Sequence, residues 1–199
     1  MNKIIKEIEN RGYSIIKNFL NKREVNNYKK LIFKHENKNR RLYKGTPARD
    51  TTDKIIYNLQ NKDYKFIKLI SNKIIINIAK YFLNDPFYGF LPNSKPNYIL
   101  NFFNARSSGS KLDLHIDCHI PFKGKKIFMM QFVFLLEKST KKNGCTVVVN
   151  NSHKSGQFSN RSEKKLTFLE GEPGDLFIWD SRLWHGTTAN KEKKSRWAI

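Results

Sequence analysis

The segment KLDLHIDCHI, residues 111–120, alternates apolar side chains with side chains that can bind a proton or a metal ion. Successive side chains of a β-strand point to opposite faces, so the apolar residues are expected on one face and the polar ones on the other. The polar face would carry His115, Asp117 and His119. A half-buried strand with a hydrated polar face explains an isolated His-x-Asp pair equally well, so the rest of the chain must distinguish the two interpretations.

Short runs rich in β-branched and aromatic residues, separated by Gly, Ser and Asn, follow residue 96 and predict a series of strands. Their spacing favours a sandwich, barrel or jelly roll over alternating βαβ units. The runs are YILNFFNA (98–105), KLDLHIDCHI (111–120), KIFMMQFVFLL (126–136), TVVVNN (146–151), KLTFLE (165–170), DLFIWD (175–180) and RWAI (196–199).

The first half of the chain shows helical periodicity instead. Apolar residues recur at helical intervals in residues 21–34, and residues 63–83 are apolar on more than one face, which predicts a buried helix. A short helix over residues 1–11 and a strand over residues 13–20 precede them. Residues 35–53 are polar and predict a mobile loop.

The chain has 199 residues and shows no internal repeat or linker, which predicts one domain over residues 1–199. A mainly helical part, residues 1–95, would pack on a β core, residues 96–199. The predicted fold class is therefore α+β.

The net charge of +21 raises the possibility of a nucleic-acid partner. The basic residues are spread over several short groups, however, and Lys outnumbers Arg by 29 to 9, although Arg is the better reader of phosphates and bases. The charge is therefore not taken to indicate nucleic-acid binding, but it could attract an anionic small molecule. The sequence does not indicate an oligomeric state.

Two cysteines, Cys118 and Cys145, provide neither a disulfide framework nor a cysteine-based zinc spacing. No run approaches the roughly 20 apolar residues that a membrane-spanning helix needs, and the N-terminus lacks the apolar stretch of a signal peptide. We expect a cytoplasmic protein that does not insert into membranes.

A second group of candidate residues lies in GDLFIWDSRLWHGTTANKEKKSRWAI, residues 174–199. His185 follows a predicted strand 70 residues after His115, and Arg196 comes 11 residues later in another apolar run. Two ligands at i and i+2 with a distant His can form a 2-His-1-carboxylate triad, which leaves one side of an Fe(II) ion open. An Arg nearby can bind a carboxylate through two hydrogen bonds.

The chain resembles the phytanoyl-CoA dioxygenase family of Fe(II)/2-oxoglutarate-dependent oxygenases in four segments that occur in the family order. These segments are RGYSIIKNFLNKREVNNYKKL, LHID, NGCTVVVNNSHKSG and GDLFIWDSRLWHGTTAN followed by Arg196. The resemblance implies a double-stranded β-helix, a cupin-like jelly roll, with N-terminal helices packed on it. It also implies Fe(II), 2-oxoglutarate and O2 as cofactor and co-substrates, with succinate and CO2 released while a small molecule is oxidised.

The family roles carry over onto matching residues of this sequence. The resemblance implies that His115, Asp117 and His185 hold iron and that Arg196 pairs with the distal carboxylate of 2-oxoglutarate. Gln131 could hydrogen-bond the co-substrate, but it could equally be a core-edge residue bonded to backbone.

Two departures from the family pattern bear on these expectations. Asn150 and Asn151 replace the usual Pro-Gly before Ser152, which changes a loop and no ligand. The chain ends three residues after Arg196, where relatives add more strand, so either it is a fragment or the barrel closes minimally. Related halogenases have a small residue in place of Asp117, so its presence favours hydroxylation.

Three further residues are candidates for substrate contacts: His119 beside the ligand pair, Arg106 in a loop before it, and Arg182 near His185. For Arg106 a solvated loop charge is the competing interpretation, and His119 could instead only contact the ligand side chains. Of the remaining histidines, His35 is expected to be solvated and His153 to be a turn residue.

Two other functions remain open at this point. One is a non-oxidative metal protein with zinc or manganese in the same triad on the same jelly roll. The other is a catalytically inactive binding module with a vestigial metal site. The identity of the substrate lies beyond what the sequence shows.

Overall fold

The computed structural model describes residues 1–39, 54–85, 97–107, 109–192 and 194–199. Four α-helices lie in the first half: α1 (Asn2–Arg11), α2 (Lys22–Asn39), α3 (Tyr64–Ile70) and α4 (Lys73–Leu83). The strands are β1 (Tyr13–Ile16), β2 (Lys54–Ile56), β3 (Ala105–Ser107), β4 (Leu112–His115), β5 (Met130–Phe134), β6 (Thr146–Val148), β7 (Thr167–Leu169), β8 (Leu176–Asp180), β9 (His185–Thr187) and β10 (Trp197–Ala198). Short 3-10 helices cover Leu59–Asn61 and Ser152–Lys154.

The described strands form three antiparallel sheets, in the orders β1-β8-β5, β10-β3-β2 and β4-β9-β6-β7. The α+β prediction is confirmed by this combination of N-terminal helices and antiparallel sheets. The β1-β8-β5 sheet is buried on both faces, since successive residues of β8 pack in opposite directions. Ile178 packs with the helices, whereas Phe177 packs with residues of the β6-β7 sheet.

The helical layer rests on one large apolar cluster. It includes Ile8 of α1, Ile32 of α2, Phe66 of α3 and Ile78 of α4, none of which is exposed to solvent. Burial of whole side chains of this size stabilises a fold by about 1.5–3 kcal/mol each. The helices are therefore a structural part of the domain and hold the central sheet from one side.

Three predictions for the helical half need correction. Residues 63–83 form two helices because the Asn72 side chain caps α4, its Oδ1 accepting a hydrogen bond of 2.9 Å from the amide of Ile74. The predicted loop over residues 35–53 is wrong at its start, since α2 continues to Asn39, and residues 40–53 lie outside the described residues. His35, expected to be solvated, is buried because it shares the helix face of Ile32, three residues earlier.

The predicted strand over residues 98–105 is also wrong. Within the described residues, β3 starts only at Ala105, and the preceding residues have irregular backbone. Phe103 is buried, but Ile99 is 88% exposed. Apolar composition alone therefore led to the prediction of a strand in residues 98–104, where the described backbone forms none.

A buried carboxylate fixes the turn that leads into β8. Asp175 is 1% exposed and accepts hydrogen bonds from Lys17 Nζ (2.7 Å), the amide of Asn18 (3.0 Å) and the amide of Glu172 (2.9 Å). These bonds tie the end of β1 to the start of β8. Burial by itself raises the pKa of Asp175. The hydrogen bonds from Lys17 and the two amides lower this pKa by more than burial raises it, so the pKa of Asp175 lies below the usual aspartate value.

Within the described residues, no helix combines the length and the apolar character that crossing a membrane requires.

Candidate metal centre

His115 and His185 face each other across two neighbouring strands. His115 is the last residue of β4 and His185 the first of β9, and they are direct partners in the antiparallel register. Their ring centroids are 4.3 Å apart. His185 Nε2 lies 3.2 Å from Asp117 Oδ2, and His115 Nε2 lies 3.6 Å from Asp117 Oδ1. Ligand atoms of the three residues all fall within 4.8 Å of one another, close enough to hold one metal ion.

Asp117 reaches this position from a bend and not from the strand. β4 ends at His115, so the alternation expected over residues 111–120 stops there. The amides of Asp117 and Cys118 instead donate to the carbonyl oxygen of Ser181, at 2.9 and 3.2 Å. The chain therefore turns toward the loop between β8 and β9, which brings the Asp117 carboxylate between the two imidazoles.

Backbone carbonyl groups orient both imidazoles. His115 Nδ1 lies 2.9 Å from the oxygen of Asp113, and His185 Nδ1 lies 2.8 Å from the oxygen of Leu183. A carbonyl oxygen can only accept, so the proton of each neutral ring is placed on Nδ1. Nε2 of each ring is left to face Asp117, where it can donate a proton to the carboxylate or, without that proton, offer its lone pair to a metal ion. Hydrogen bonds such as those to Nδ1 set the tautomer of metal-binding histidines.

The charge on the carboxylate suits a cation. Burial alone would raise the pKa of Asp117, but hydrogen bonds from His115 and His185 outweigh burial and hold that pKa well below its usual range. The hydrogen bond that His115 donates to the Asp117 carboxylate likewise raises the pKa of His115. A divalent ion among the three candidate ligand atoms would take the place of the protons in these hydrogen bonds.

Gly186 allows the two ligand strands to approach. A Cβ at this position would overlap the carbonyl oxygen of Leu112 and lie 3.1 Å from the oxygen of Asp113. Both atoms belong to backbone, which cannot rotate away as a side chain can. His185 thus provides a candidate ligand, and Gly186 leaves the space that the backbone of β4 occupies.

A cavity of about 1020 Å³ opens from the three candidate ligands. Its walls are mostly apolar and come from the β-sheets, from α4 and from residues 97–104. Besides the triad, four of the residues proposed from the sequence line it: Arg106, His119, Gln131 and Arg196. Candidate ligands, candidate co-substrate residues and an apolar chamber therefore share one space.

Arg196 brings a buried positive charge to this cavity. It is 6% exposed, its Nε donates to the oxygen of Asn143 (3.1 Å), and its amide donates to Ser107 Oγ (2.8 Å). Among the described residues, no carboxylate forms a salt bridge with its guanidinium. Burial lowers the pKa of Arg196, yet an arginine stays protonated in proteins. A carboxylate from a bound molecule would supply the missing counter-charge.

The other proposed residues occupy distinct places. Gln131 lies on β5, opposite Trp179 of β8, and is partly buried. Arg106, expected in a loop, is the central residue of β3. His119 is exposed at the cavity edge.

Arg182 is directed elsewhere. It is 5% exposed, and it is not one of the described residues that line the cavity. Its guanidinium binds the Asp180 carboxylate, with Nη2 at 2.7 Å from Oδ2. This arrangement gives no support to the predicted substrate contact.

Several groups around the candidate ligands had no recognisable signal in the sequence. The carbonyl groups of Ser181 and Leu183 carry no side-chain signature. Trp179, which was not among the candidate residues, places its ring 5.2 Å from that of His185. His153, expected in an open turn, is buried, because Gly12 leaves room for its ring. The Asp-x-Arg spacing of Asp180 and Arg182, shortly before His185, could have indicated an ion pair close to the candidate ligands.

Known proteins match both the sequence and the fold. The family model for phytanoyl-CoA dioxygenase (PhyH) matches residues 8–198. Dioxygenase af480 of Aspergillus fumigatus is 24% identical over 140 residues, which cover 68% of this chain and 43% of that protein. The chain thus spans less than half the length of this curated relative.

Two solved structures show the fold of the chain. HygX from Streptomyces hygroscopicus, with nickel, 2-oxoglutarate and hygromycin B bound, superposes with a TM-score of 0.71 at 13% identity, over 100% of this chain and 84% of that one. The non-heme alpha ketoglutarate dependent epimerase SnoN from nogalamycin biosynthesis superposes with a TM-score of 0.69 at 16% identity, over 99% and 80%. The jelly-roll prediction is confirmed by these similarities.

Proposed function

Because the chain belongs to the phytanoyl-CoA dioxygenase family, we propose that it is an Fe(II)/2-oxoglutarate-dependent dioxygenase that hydroxylates a small organic molecule. O2 would be consumed, and succinate and CO2 would be released. The observation that carries the proposal is a triad whose ligand atoms lie within 4.8 Å of one another, in the same cavity as a buried guanidinium without a carboxylate partner among the described residues. The similar HygX structure holds a metal ion and 2-oxoglutarate.

In this proposal His115, Asp117 and His185 are the metal ligands. Two neutral imidazoles and one carboxylate leave a net single positive charge on a divalent ion and occupy one side of it, so the cavity side stays open to other ligands. When bound, the iron supplies the activation of O2 that couples decarboxylation of 2-oxoglutarate to oxidation of the substrate. The protein's part is to orient the imidazoles through the carbonyl groups of residues 113 and 183.

Arg196 is proposed to bind the distal carboxylate of 2-oxoglutarate. Its Nε is already engaged by Asn143, which fixes the plane of the guanidinium and leaves the terminal nitrogens to the co-substrate. Gln131, on β5, would add a neutral hydrogen bond to the same molecule.

The apolar chamber would hold the substrate and exclude water from the reacting atoms. Arg106 and His119, which both line the cavity, are proposed substrate contacts, and Arg106 would favour an anionic group. Retention of Asp117 leaves no position in the triad for a halide, which supports hydroxylation over halogenation.

Anaerobic reconstitution tests the metal and co-substrate sites together. Wild-type protein with Fe(II) and 2-oxoglutarate should show a weak visible charge-transfer band, and His115→Ala should abolish it. His119→Ala is the matched control, since it removes an imidazole only four positions away that is not a proposed ligand, and the band should persist. If wild-type protein shows no band and instead retains zinc or manganese, the non-oxidative alternative is correct.

The reaction is then tested with O2. Pools of metabolites are screened for succinate release above uncoupled turnover, and the consumed compound is analysed by mass spectrometry. Hydroxylation predicts a product heavier by one oxygen atom. A product of unchanged mass would contradict hydroxylation and indicate stereochemical inversion, the kind of activity named for SnoN.

A further inference from the structure

Arg182 lies between two carbonyl groups that each hold a candidate metal ligand. The oxygen of Ser181 accepts hydrogen bonds from the amides of Asp117 (2.9 Å) and Cys118 (3.2 Å). The oxygen of Leu183 lies 2.8 Å from Nδ1 of His185. One three-residue turn therefore orients the carboxylate ligand from one side and an imidazole ligand from the other.

A buried ion pair fixes the shape of this turn. Arg182 Nε lies 3.1 and 3.2 Å from the two carboxylate oxygens of Asp180, and Nη2 lies 2.7 Å from Oδ2. The Arg182 amide donates to Asp180 Oδ1 at 2.9 Å. The two side chains are 6% and 1% exposed, so neither charge has water to replace its partner.

The same guanidinium reaches the chain segment that follows Asp117. Nη1 donates to the oxygen of Gly124 at 2.8 Å, and the guanidinium carbon lies 4.4 Å from the ring centroid of Phe122. Arg182 thus connects the end of β8 with the loop after the Asp117 bend. Neither Arg182 nor the residues it contacts are among the described residues that line the cavity, and these contacts use the donors that a substrate contact would need.

We propose that Arg182 and Asp180 are positioning residues of the metal site, acting through the carbonyl groups of Ser181 and Leu183. This inference rests on the proposed metal ligands. Loss of the guanidinium leaves the Asp180 carboxylate buried without a counter-charge, and the turn must open to hydrate it. The two carbonyl groups then move, and the carboxylate of Asp117 and the ring of His185 lose their fixed orientation. Partners that orient metal ligands typically contribute 10–100-fold to metal affinity.

The opposite end of β8 provides a matched comparison. Asp175 immediately precedes the strand, is 1% exposed like Asp180, and binds Lys17 Nζ at 2.7 Å. This second ion pair contacts the loop after β1 and none of the three candidate ligands. Lys17→Met and Arg182→Met therefore both remove the cation from a buried aspartate at an end of β8, but only one of them alters the turn at the ligands.

Titration with Co(II), followed by its visible absorption, tests the inference without any turnover. We expect Arg182→Met to bind Co(II) about 10-fold or more weakly than wild type, with a changed absorption spectrum, and Lys17→Met to stay within about 2-fold. Thermal unfolding of the metal-free proteins is measured in parallel, so that a general loss of stability can be separated from a loss of ligand orientation. Arg182→Lys keeps the charge without the planar fork and should fall between wild type and Arg182→Met.

Four results are decisive, three for this inference and one for the triad itself. Unchanged Co(II) affinity and spectrum in Arg182→Met would overturn the inference, as would equal losses in Arg182→Met and Lys17→Met. If Arg182→Met does not fold, Arg182→Lys decides, and wild-type affinity and spectrum in that variant would overturn it. Failure of wild-type protein to bind Co(II) would instead refute the proposed triad, a result that the wild-type titration alone reveals.

Discussion

Gly186 lies so close to Leu112 on the neighbouring strand that a Cβ on residue 186 would overlap the Leu112 carbonyl oxygen. Gly186→Ala should therefore force β4 and β9 apart, and we expect a loss of about 1–3 kcal/mol in the free energy of unfolding. Since His115 and His185 sit on these two strands, Co(II) affinity should fall as well. Chemical denaturation and Co(II) titration check the two effects.

Gly171→Ala is the matched control for this prediction. A Cβ there would lie 2.8 Å from Leu135 Cδ1 and 2.8 Å from Phe177 Cζ, which are ends of side chains that can adjust. We expect a loss of stability with unchanged Co(II) affinity. Wild-type metal affinity in Gly186→Ala would contradict the claim that close strand approach sets the ligand geometry.

Arg196→Met should weaken binding of 2-oxoglutarate while leaving the metal site intact. Removing one partner of a buried, hydrogen-bonded charge pair costs about 2 kcal/mol or more, which corresponds to at least about a 30-fold loss in affinity. The 2-oxoglutarate concentration that gives half of the anaerobic Fe(II) charge-transfer band measures this loss. Co(II) alone should bind as it does to wild type.

Lys194→Met serves as the control for charge, because it removes an exposed cation two positions before Arg196. It should bind 2-oxoglutarate like wild type. An unchanged midpoint in Arg196→Met would assign the distal carboxylate to another residue, with Arg106 as the next candidate in the cavity.

Asp175→Asn should destabilise the protein in a pH-dependent way. The pKa of Asp175 is lower in the folded state than in an unfolded chain, so its carboxylate stabilises the fold above pH about 4, and this contribution is lost as the pH falls through the lowered pKa. At neutral pH we expect a loss of about 1.5–3 kcal/mol for a buried hydrogen-bonded charge. Denaturation curves of both proteins across acid and neutral pH measure the difference.

The difference between wild type and Asp175→Asn should shrink as the pH is lowered below 4. Asp113→Asn is the control, because its carboxylate is exposed and forms a surface salt bridge with Lys111, and it should change stability little at any pH. A difference for Asp175→Asn that stays constant down to strong acid would show that the charge of this carboxylate does not stabilise the fold.

Sequence patterns indicated the three candidate ligands for a reason that was only half right. Alternation places residues 115 and 117 on one face of a strand, yet the strand ends at His115. Asp117 arrives beside His185 because its amide binds the Ser181 carbonyl, and a backbone contact across so long a stretch of chain leaves no local pattern. The His-x-Asp spacing thus indicated two of the candidate ligands, while the geometry that brings all three together depends on tertiary structure.

Arg182 shows a different limit. An arginine close to a ligand suggests a substrate contact, but the outcome depends on which anion is nearer, and Asp180 is only two residues away in sequence. Arg196 has the opposite situation, since no described carboxylate pairs with it, and it stays a candidate for a bound anion. Distinguishing the two requires the side-chain contacts.

The helices of the first half were easier to predict than the residues at which they begin and end. The spacing of Val25 and Ile32 predicted a helix face that the structure buries, whereas the end of α2 and the break before α4 were missed. Burial of apolar faces sets periodicity over many residues, but a helix boundary depends on one cap such as Asn72.

The hydrogen bonds from both ligand imidazoles go to oxygen atoms of the main chain, two residues before each histidine. Every amino acid supplies such an oxygen, so the side chains at positions 113 and 183 can drift in evolution without disturbing which ring nitrogen carries the proton. A substitution at position 113 or 183 therefore leaves the hydrogen-bond acceptor of each imidazole in place. Only changes that displace the backbone would alter these hydrogen bonds. The path of the backbone, and not the identity of the side chains at 113 and 183, therefore decides which ring nitrogen carries the proton.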